Sequence, residues 1–221
     1  MIDIGFSMHP LWLGGTTLEQ FFSPLQANGL TAVEFELDPR QEEWQRFPQL
    51  IRDCAGRGLR LSFHAPYRAP YTLEGFSQQP NEIKARYSKM LYLAEVYSNY
   101  NPGRTVCVIH GASSYHLPAE RLYADTLEFL KWGLDEFPHL TFALENNAPP
   151  KDDKQLKFGA ERQPVLEVVK AIASERLGIC WDLGHDGLHH RQDPPPADWL
   201  KQVIHVHVHD IAEDGLDHYP L

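Results

Sequence analysis

The 221-residue chain has few cysteines, no long apolar run and a shortage of basic charge, and each lack removes a class of protein. Cys54, Cys107 and Cys180 are odd in number and widely spaced, so they do not read as a disulfide framework, and a reducing cytoplasm is the expected location. Cys107 and Cys180 sit inside apolar runs and read as buried, inert thiols rather than nucleophiles. No stretch approaches the ~18 consecutive apolar residues that a membrane span requires. The opening "MIDIGFSMHP" lacks the basic region and apolar run of a signal peptide. Lys and Arg number 20 against 30 Asp and Glu, and the resulting charge of −10 disfavours loose nucleic-acid binding, leaving room only for a local basic patch. The sequence also has no low-complexity linker and no internal repeat, so residues 1–221 read as one domain.

What is present is an alternation. Seven short apolar runs recur: "IDIGFS" (2–7), "AVEFEL" (32–37), "RLSFHAP" (60–66), "TVCVIHG" (105–111), "LTFALEN" (140–146), "LGICWDLG" (177–184) and "VIHVHVHD" (203–210). Each has the length and β-branched or aromatic content of a buried parallel strand. Helical periodicity fills the intervals, over about 17–28, 41–56, 81–98, 118–136, 163–175 and 196–202. Thr16 with Glu19 has capping-box spacing, Gly29 can end the first helix, and Pro48 predicts a kink or a late start in the second. Strand and helix in strict succession, without a hairpin signal, mean an α/β fold with a parallel sheet. An open dinucleotide-binding sheet should carry GxGxxG after its first strand, and "GFSMHPLWLGG" does not. A (β/α) barrel is the better expectation, with Met1–Ser7 as its first strand.

Twelve histidines are the compositional oddity, and they fall at strand ends. The third strand ends in His64, the fourth in His110, the fifth in Glu145, the sixth in Asp182 with His185 just after, and the seventh in His207 with Asp210. Any one of these has a bland reading as a hydrogen-bonded core or surface residue, and His189 and His190 read as surface loop. Together they sit at equivalent positions, and in a closed barrel such ends converge on one mouth. His205, His207 and His209 alternate with Ile204, Val206 and Val208; the histidines should face the interior and the apolar residues the helices. His205, the deepest, reads as a core or supporting histidine, and His207 or His209 as the better ligand. Histidine with carboxylate suits zinc, manganese, cobalt or iron better than calcium or magnesium, and the six or seven donors have capacity for one to three ions, zinc or manganese first.

With "FHAPY" (63–67), "VIHGAS" (108–113), "ALEN" (143–146), "CWDLGH" (180–185) and "HVHD" (207–210) in this order, the chain resembles the xylose isomerase-like TIM-barrel superfamily. That superfamily includes sugar-phosphate isomerases and epimerases and endonuclease-IV-type AP endonucleases. The resemblance implies metal ligation by His64, His110, Glu145, Asp182, His185, His207 and His218, with Glu145 also acting as catalytic base. Tyr67, Asn146, His209 and Asp210 are then the expected substrate-binding residues. At the last ligand the pattern departs, because Leu216 stands two before His218 and the acid is the adjacent Asp217. The family also continues with a seventh helix and an eighth strand that this sequence does not show, so a C-terminally incomplete barrel is expected. Its first and seventh strands should then be open edges able to recruit another copy, giving a homo-oligomer.

Two functions follow from the resemblance, and the expected loss of the C-terminus adds a third. The first is a metal-dependent isomerase or epimerase of a small sugar, sugar phosphate or hydroxy-keto acid, working by proton transfer through an enediolate. The second is an endonuclease-IV-like phosphodiester hydrolase on abasic DNA, with Tyr67 and Arg40 near the nucleic acid; the charge argues against it. The third is a degenerate barrel that only binds a metal or ligand.

Overall fold

The computed structural model describes residues 3–8, 17–38, 42–101, 103–188, 194–209 and 211. His189, His190, Arg40, Asp210, Leu216, Asp217 and His218 therefore lie outside the described residues. The seven expected strands form at Gly5–Met8, Ala32–Glu36, Arg60–His64, Thr105–His110, Leu140–Glu145, Leu177–Asp182 and Val203–His207. They pair in parallel, in chain order from first to seventh. A doubly wound sheet would reverse that order at a switch point, and this one does not. Among the described residues the first and seventh strands are the two edges of the sheet and are not paired.

The sheet is curled. In a flat sheet the second and seventh strands would lie about 24 Å apart at ~4.8 Å per strand. Here the Glu34 carboxylate of the second strand lies 2.9 Å from His205 Nε2 and 3.0 Å from His207 Nε2 of the seventh. The two faces follow from residue alternation. Phe35, Phe63, Cys107, Ile109, Phe142, Leu144 and Ile179 face outward and are buried under the helices. Inward lie Val106, Val108, Ala143 and Cys180, a small cluster of modest side chains that leaves room above it for the polar ends of the strands.

The main helices form at Leu18–Ala27, Phe47–Gly56, Pro80–Ser98, Ala119–Glu136, Arg162–Ile172 and Ala197–Leu200. A capping box joins Thr17 and Gln20, which exchange side-chain and backbone bonds, and the expected Thr16 lies outside the described residues. Pro48 gives the late start, with a 3-10 turn over Glu42–Arg46 and Pro48 in the first turn of the α-helix that follows. The expected helical face of the third helix, Ile83, Tyr87, Met90, Leu91 and Ala94, is buried as a unit. A short helix over Leu183–Leu188, not expected, directly follows the sixth strand. The two-residue strands Ser113–Ser114 and Leu156–Lys157 pair antiparallel between the loops after the fourth and fifth strands.

One expectation is corrected on the seventh strand. Ile204, Val206 and Val208 do point away from the histidines, but they are 39%, 45% and 55% exposed. No described helix covers that face, so the outer side of this strand meets solvent, unlike those of the third to sixth strands. All three cysteines are free and buried, as expected of inert thiols. No described helix is long and apolar enough to cross a membrane.

Candidate functional site

The parallel register decides which strand ends meet. His110 is in register with Glu145, and Glu145 with Cys180; Asp182 is in register with His207. Glu145, 1% exposed, becomes the hub. Its Oε2 lies 3.1 Å from His64 Nε2 and 3.1 Å from His110 Nε2, and its Oε1 lies 3.3 Å from His207 Nδ1 and 3.5 Å from His185 Nδ1. Asp182 sits beside it, with Oδ2 at 3.5 Å from His185 Nδ1 and 3.8 Å from His207 Nδ1, and Oδ1 at 3.0 Å from His209 Nε2. All six residues expected at the strand ends, His64, His110, Glu145, Asp182, His185 and His207, are brought together, and His209 joins them.

The histidines are held by their second nitrogens. His64 Nδ1 donates to the Ala65 carbonyl at 2.8 Å. His185 Nδ1 donates to the Asn146 carbonyl at 3.0 Å. His110 Nδ1 lies 2.6 Å from Asn147 Oδ1, and because the Asn147 amide donates to the Phe158 carbonyl, its oxygen must be the acceptor from His110. In His64 and His110 Nδ1 carries a proton that is already engaged, so Nε2 is the nitrogen presented to Glu145, whereas in His185 it is Nδ1 that lies nearest the two carboxylates. That arrangement fixes the tautomer of a ligating imidazole. Asn147 was not anticipated from sequence; its effect depends on an amide orientation that only the fold supplies. Asn146 does not project into the site. Its amide donates to the Asp182 carbonyl at 2.9 Å and accepts from the Asp182 backbone N–H at 2.8 Å, locking the two strand ends together. Tyr67 stacks on His110, with ring centres 4.2 Å apart and planes 8° from parallel, and meets His64 edge-on.

The short helix after the sixth strand brings in His185. Asp186 accepts from Arg162 and from Trp181 Nε1, pinning the helix to its neighbours. Gly184 is required here, because a Cβ at that position would lie 2.0 Å from His209 Cε1. We expect Gly184→Ala to swing the His209 ring off Asp182. Its cost is about 1–3 kcal/mol of stability from overpacking, with about tenfold weaker metal binding, read by thermal denaturation and by metal titration. Unchanged affinity would show that His209 holds no ion.

Electrostatics sort the groups. Burial pushes the Glu145 carboxyl up, but the facing charges of His110 and His207 and their hydrogen bonds win and hold it well below the usual carboxylate range. Burial, then the neighbouring Glu145 charge, raises Asp182. Burial lowers His185, whereas for His64 the hydrogen bond and charge of Glu145 overcome burial and raise it. His207 is held well above its ordinary value: burial opposes the charge, but Cys180, Glu34 and Glu145 outweigh it. Glu34 is the residue that sequence reading missed. It lies mid-strand in "AVEFEL", 7% exposed, and the charges of His207 and His205 hold it well below its usual range against burial.

A divalent cation fits this donor set. Asp182 Oδ2 is buried and accepts no hydrogen bond, which is costly for a carboxylate unless a cation faces it. Three groups each bring ligand atoms within 4.8 Å of one another: His64, Glu145 and His207; Asp182, His185 and His209; and Glu34, His205 and His207.

Comparison with known proteins agrees with this fold. Similar solved structures include a D-tagatose 3-epimerase-like protein, 17% identical with a TM-score of 0.67, the match covering 95% of this chain and 77% of that one. D-psicose 3-epimerase from Clostridium cellulolyticum H10 is 12% identical with a TM-score of 0.68, over 95% of this chain and 73% of that one. An AP endonuclease, family 2, from Brucella melitensis is 15% identical with a TM-score of 0.65, over 93% and 78%. At these identities the likeness is one of fold. No curated protein sequence matches the chain. The family model described as xylose isomerase-like TIM barrel matches residues 22–220, and the chain belongs to that family.

Proposed function

We propose that this protein is a metal-dependent isomerase or epimerase of a small sugar, sugar phosphate or hydroxy-keto acid. The observation that carries the reading is the convergence on Glu145: a buried, ionised carboxylate faced by imidazoles whose remaining nitrogens are already tied down. Sugar epimerases among the similar folds support it. Glu145, Asp182 and His207 would hold one ion, zinc or manganese. His64, His110, His185 and His209 can complete its shell or hold further ions. When bound, the cation draws electron density from two neighbouring substrate oxygens and acidifies the carbon next to the carbonyl.

The chain's own residues do the rest. Glu145, whose carboxyl the facing imidazoles hold well below its usual range against burial, is the carboxylate placed to accept that proton and return it. His64 and His110 stand on either side of its Oε2 and, in the protonated form that holds no ion, can donate from Nε2 to the substrate oxygen that gains charge as the enediolate forms. Tyr67 gives the mouth a flat apolar wall on which a sugar carbon face can rest. Asn146 acts as a positioning residue for Asp182, and His209 bears on the other side of that carboxylate. The free thiols suit a reducing compartment, and the cytoplasm is the location we propose.

A phosphodiester hydrolase on abasic DNA is the second reading, favoured by the three donor groups and by the AP endonuclease fold match. The charge of −10 weighs against it. The discriminating experiment incubates the zinc- or manganese-loaded protein in D2O with ketoses, ketose phosphates and hydroxypyruvate, and separately with an abasic-site duplex. Deuterium entering the carbon beside the carbonyl is the expected result. Duplex nicking without deuterium exchange would replace the first reading with the second.

A further inference from the structure

Glu34 stands apart from the centre around Glu145, yet it is built like a ligand. It lies on the second strand, buried, and reaches across the barrel to the seventh. Its Oε2 accepts from Ser62 Oγ at 3.1 Å and lies 2.9 Å from His205 Nε2; its Oε1 lies 3.0 Å from His207 Nε2. The last contact is short but lies outside hydrogen-bond geometry, with His207 Nε2 buried. A nitrogen and a carboxylate oxygen so close, without the direction of an N–H···O bond, are arranged as two donors to a third atom. Two donors 3.0 Å apart, each ~2.1 Å from one ion, subtend about 90° at it, an angle common in five- and six-coordinate sites.

We propose that Glu34, His205 and His207 form a second divalent-cation site, distinct from the one around Glu145 and Asp182, which ties the second strand to the seventh across the barrel. Two imidazoles with one carboxylate select a zinc-type ion over calcium or magnesium. The two sites share only His207, through different nitrogens: Nδ1 faces Glu145 and Nε2 faces Glu34. For the ring to serve both ions at once it must lose both of its N–H protons to solvent and bridge as an imidazolate, a loss that the two flanking cations favour. The site stands where first and seventh strands share no ladder among the described residues, so the ion does for the barrel what that pairing would otherwise do.

The test is zinc stoichiometry on the full chain, by equilibrium dialysis and elemental analysis, with thermal denaturation on the same samples. Glu34→Gln should bind one zinc fewer than wild type and lose about half of the zinc-induced rise in Tm. The double variant Glu145→Gln/Asp182→Asn, which removes the proposed catalytic centre, should keep one zinc and its share of that rise. His205→Gln should match Glu34→Gln in count and serves alone if the latter does not fold. An unchanged count in the Glu34 or His205 variant overturns the proposal; if affinity alone falls, about 10–100-fold, Glu34 is instead a hydrogen-bond acceptor orienting His207. Loss of all zinc from the double variant also overturns it. Failure of the catalytic reading is a different result: wild type and the double variant would then bind the same number of ions.

Discussion

Glu145→Gln should abolish turnover while leaving the barrel folded. The substitution conserves shape but removes the charge around which four imidazoles gather, and it turns one oxygen into an N–H donor. An amide can neither bind a cation as well as the carboxylate nor take a proton. Loss of a general base alone costs about 10²–10⁴ in rate, and loss of a ligand adds to it. We expect at least a thousandfold fall in kcat on whichever substrate supports deuterium exchange. Stability should change less, because His64 and His207 can shed their protons when their partner is neutral. Unchanged turnover together with unchanged metal content would exclude Glu145 from both roles.

Stripping the metal should remove activity and lower thermal stability together. A ligand that binds only the folded chain at a hundred times its Kd contributes about 2.7 kcal/mol, or roughly 5–11 °C in Tm at this chain length. The pH dependence has a definite sign. In the metal-free protein His64, facing Glu145 and Glu34, and His207, facing Glu34, Glu145, Asp182 and Cys180, have raised folded-state values. Their contribution is therefore complete below their ordinary value of 6.5 and is lost as pH rises through the folded values. Glu34 and Glu145 are depressed, so theirs is lost only in acid. Cation binding runs the other way, since it needs unprotonated imidazoles. The stabilisation by zinc should grow from pH 6 to pH 8, and a flat profile of the Tm difference would contradict the assignment of histidine ligands.

The strand ends were readable because each polar residue closes an apolar run, and six of them proved to be neighbours. Glu34 was not readable. In "AVEFEL" it looks like the polar half of an ordinary alternation, and only the curl of the sheet sets it opposite His205 and His207. For Asn146 the resemblance implies a substrate contact, whereas its hydrogen bonds to both backbone groups of Asp182 depend on two strand ends that only the fold brings together. The helix at Leu183–Leu188 was hidden by Gly184 and Gly187, poor helix formers kept there by close packing against His209 and Ile211. The uncovered face of Ile204, Val206 and Val208 shows the limit of alternation as evidence: it tells which residues share a side, not what lies against that side.

The contact between Glu34 and the seventh-strand histidines joins segments from nearly opposite ends of the chain. Such a contact closes a very long loop, and we expect it to form after the intervening strands have assembled. Groups that meet last are absent from the transition state for folding, and whatever strengthens them acts on the unfolding rate. An ion across this junction would thus leave the folding limb of a chevron plot in place and shift only the unfolding limb, making the barrel slow to come apart rather than quick to form.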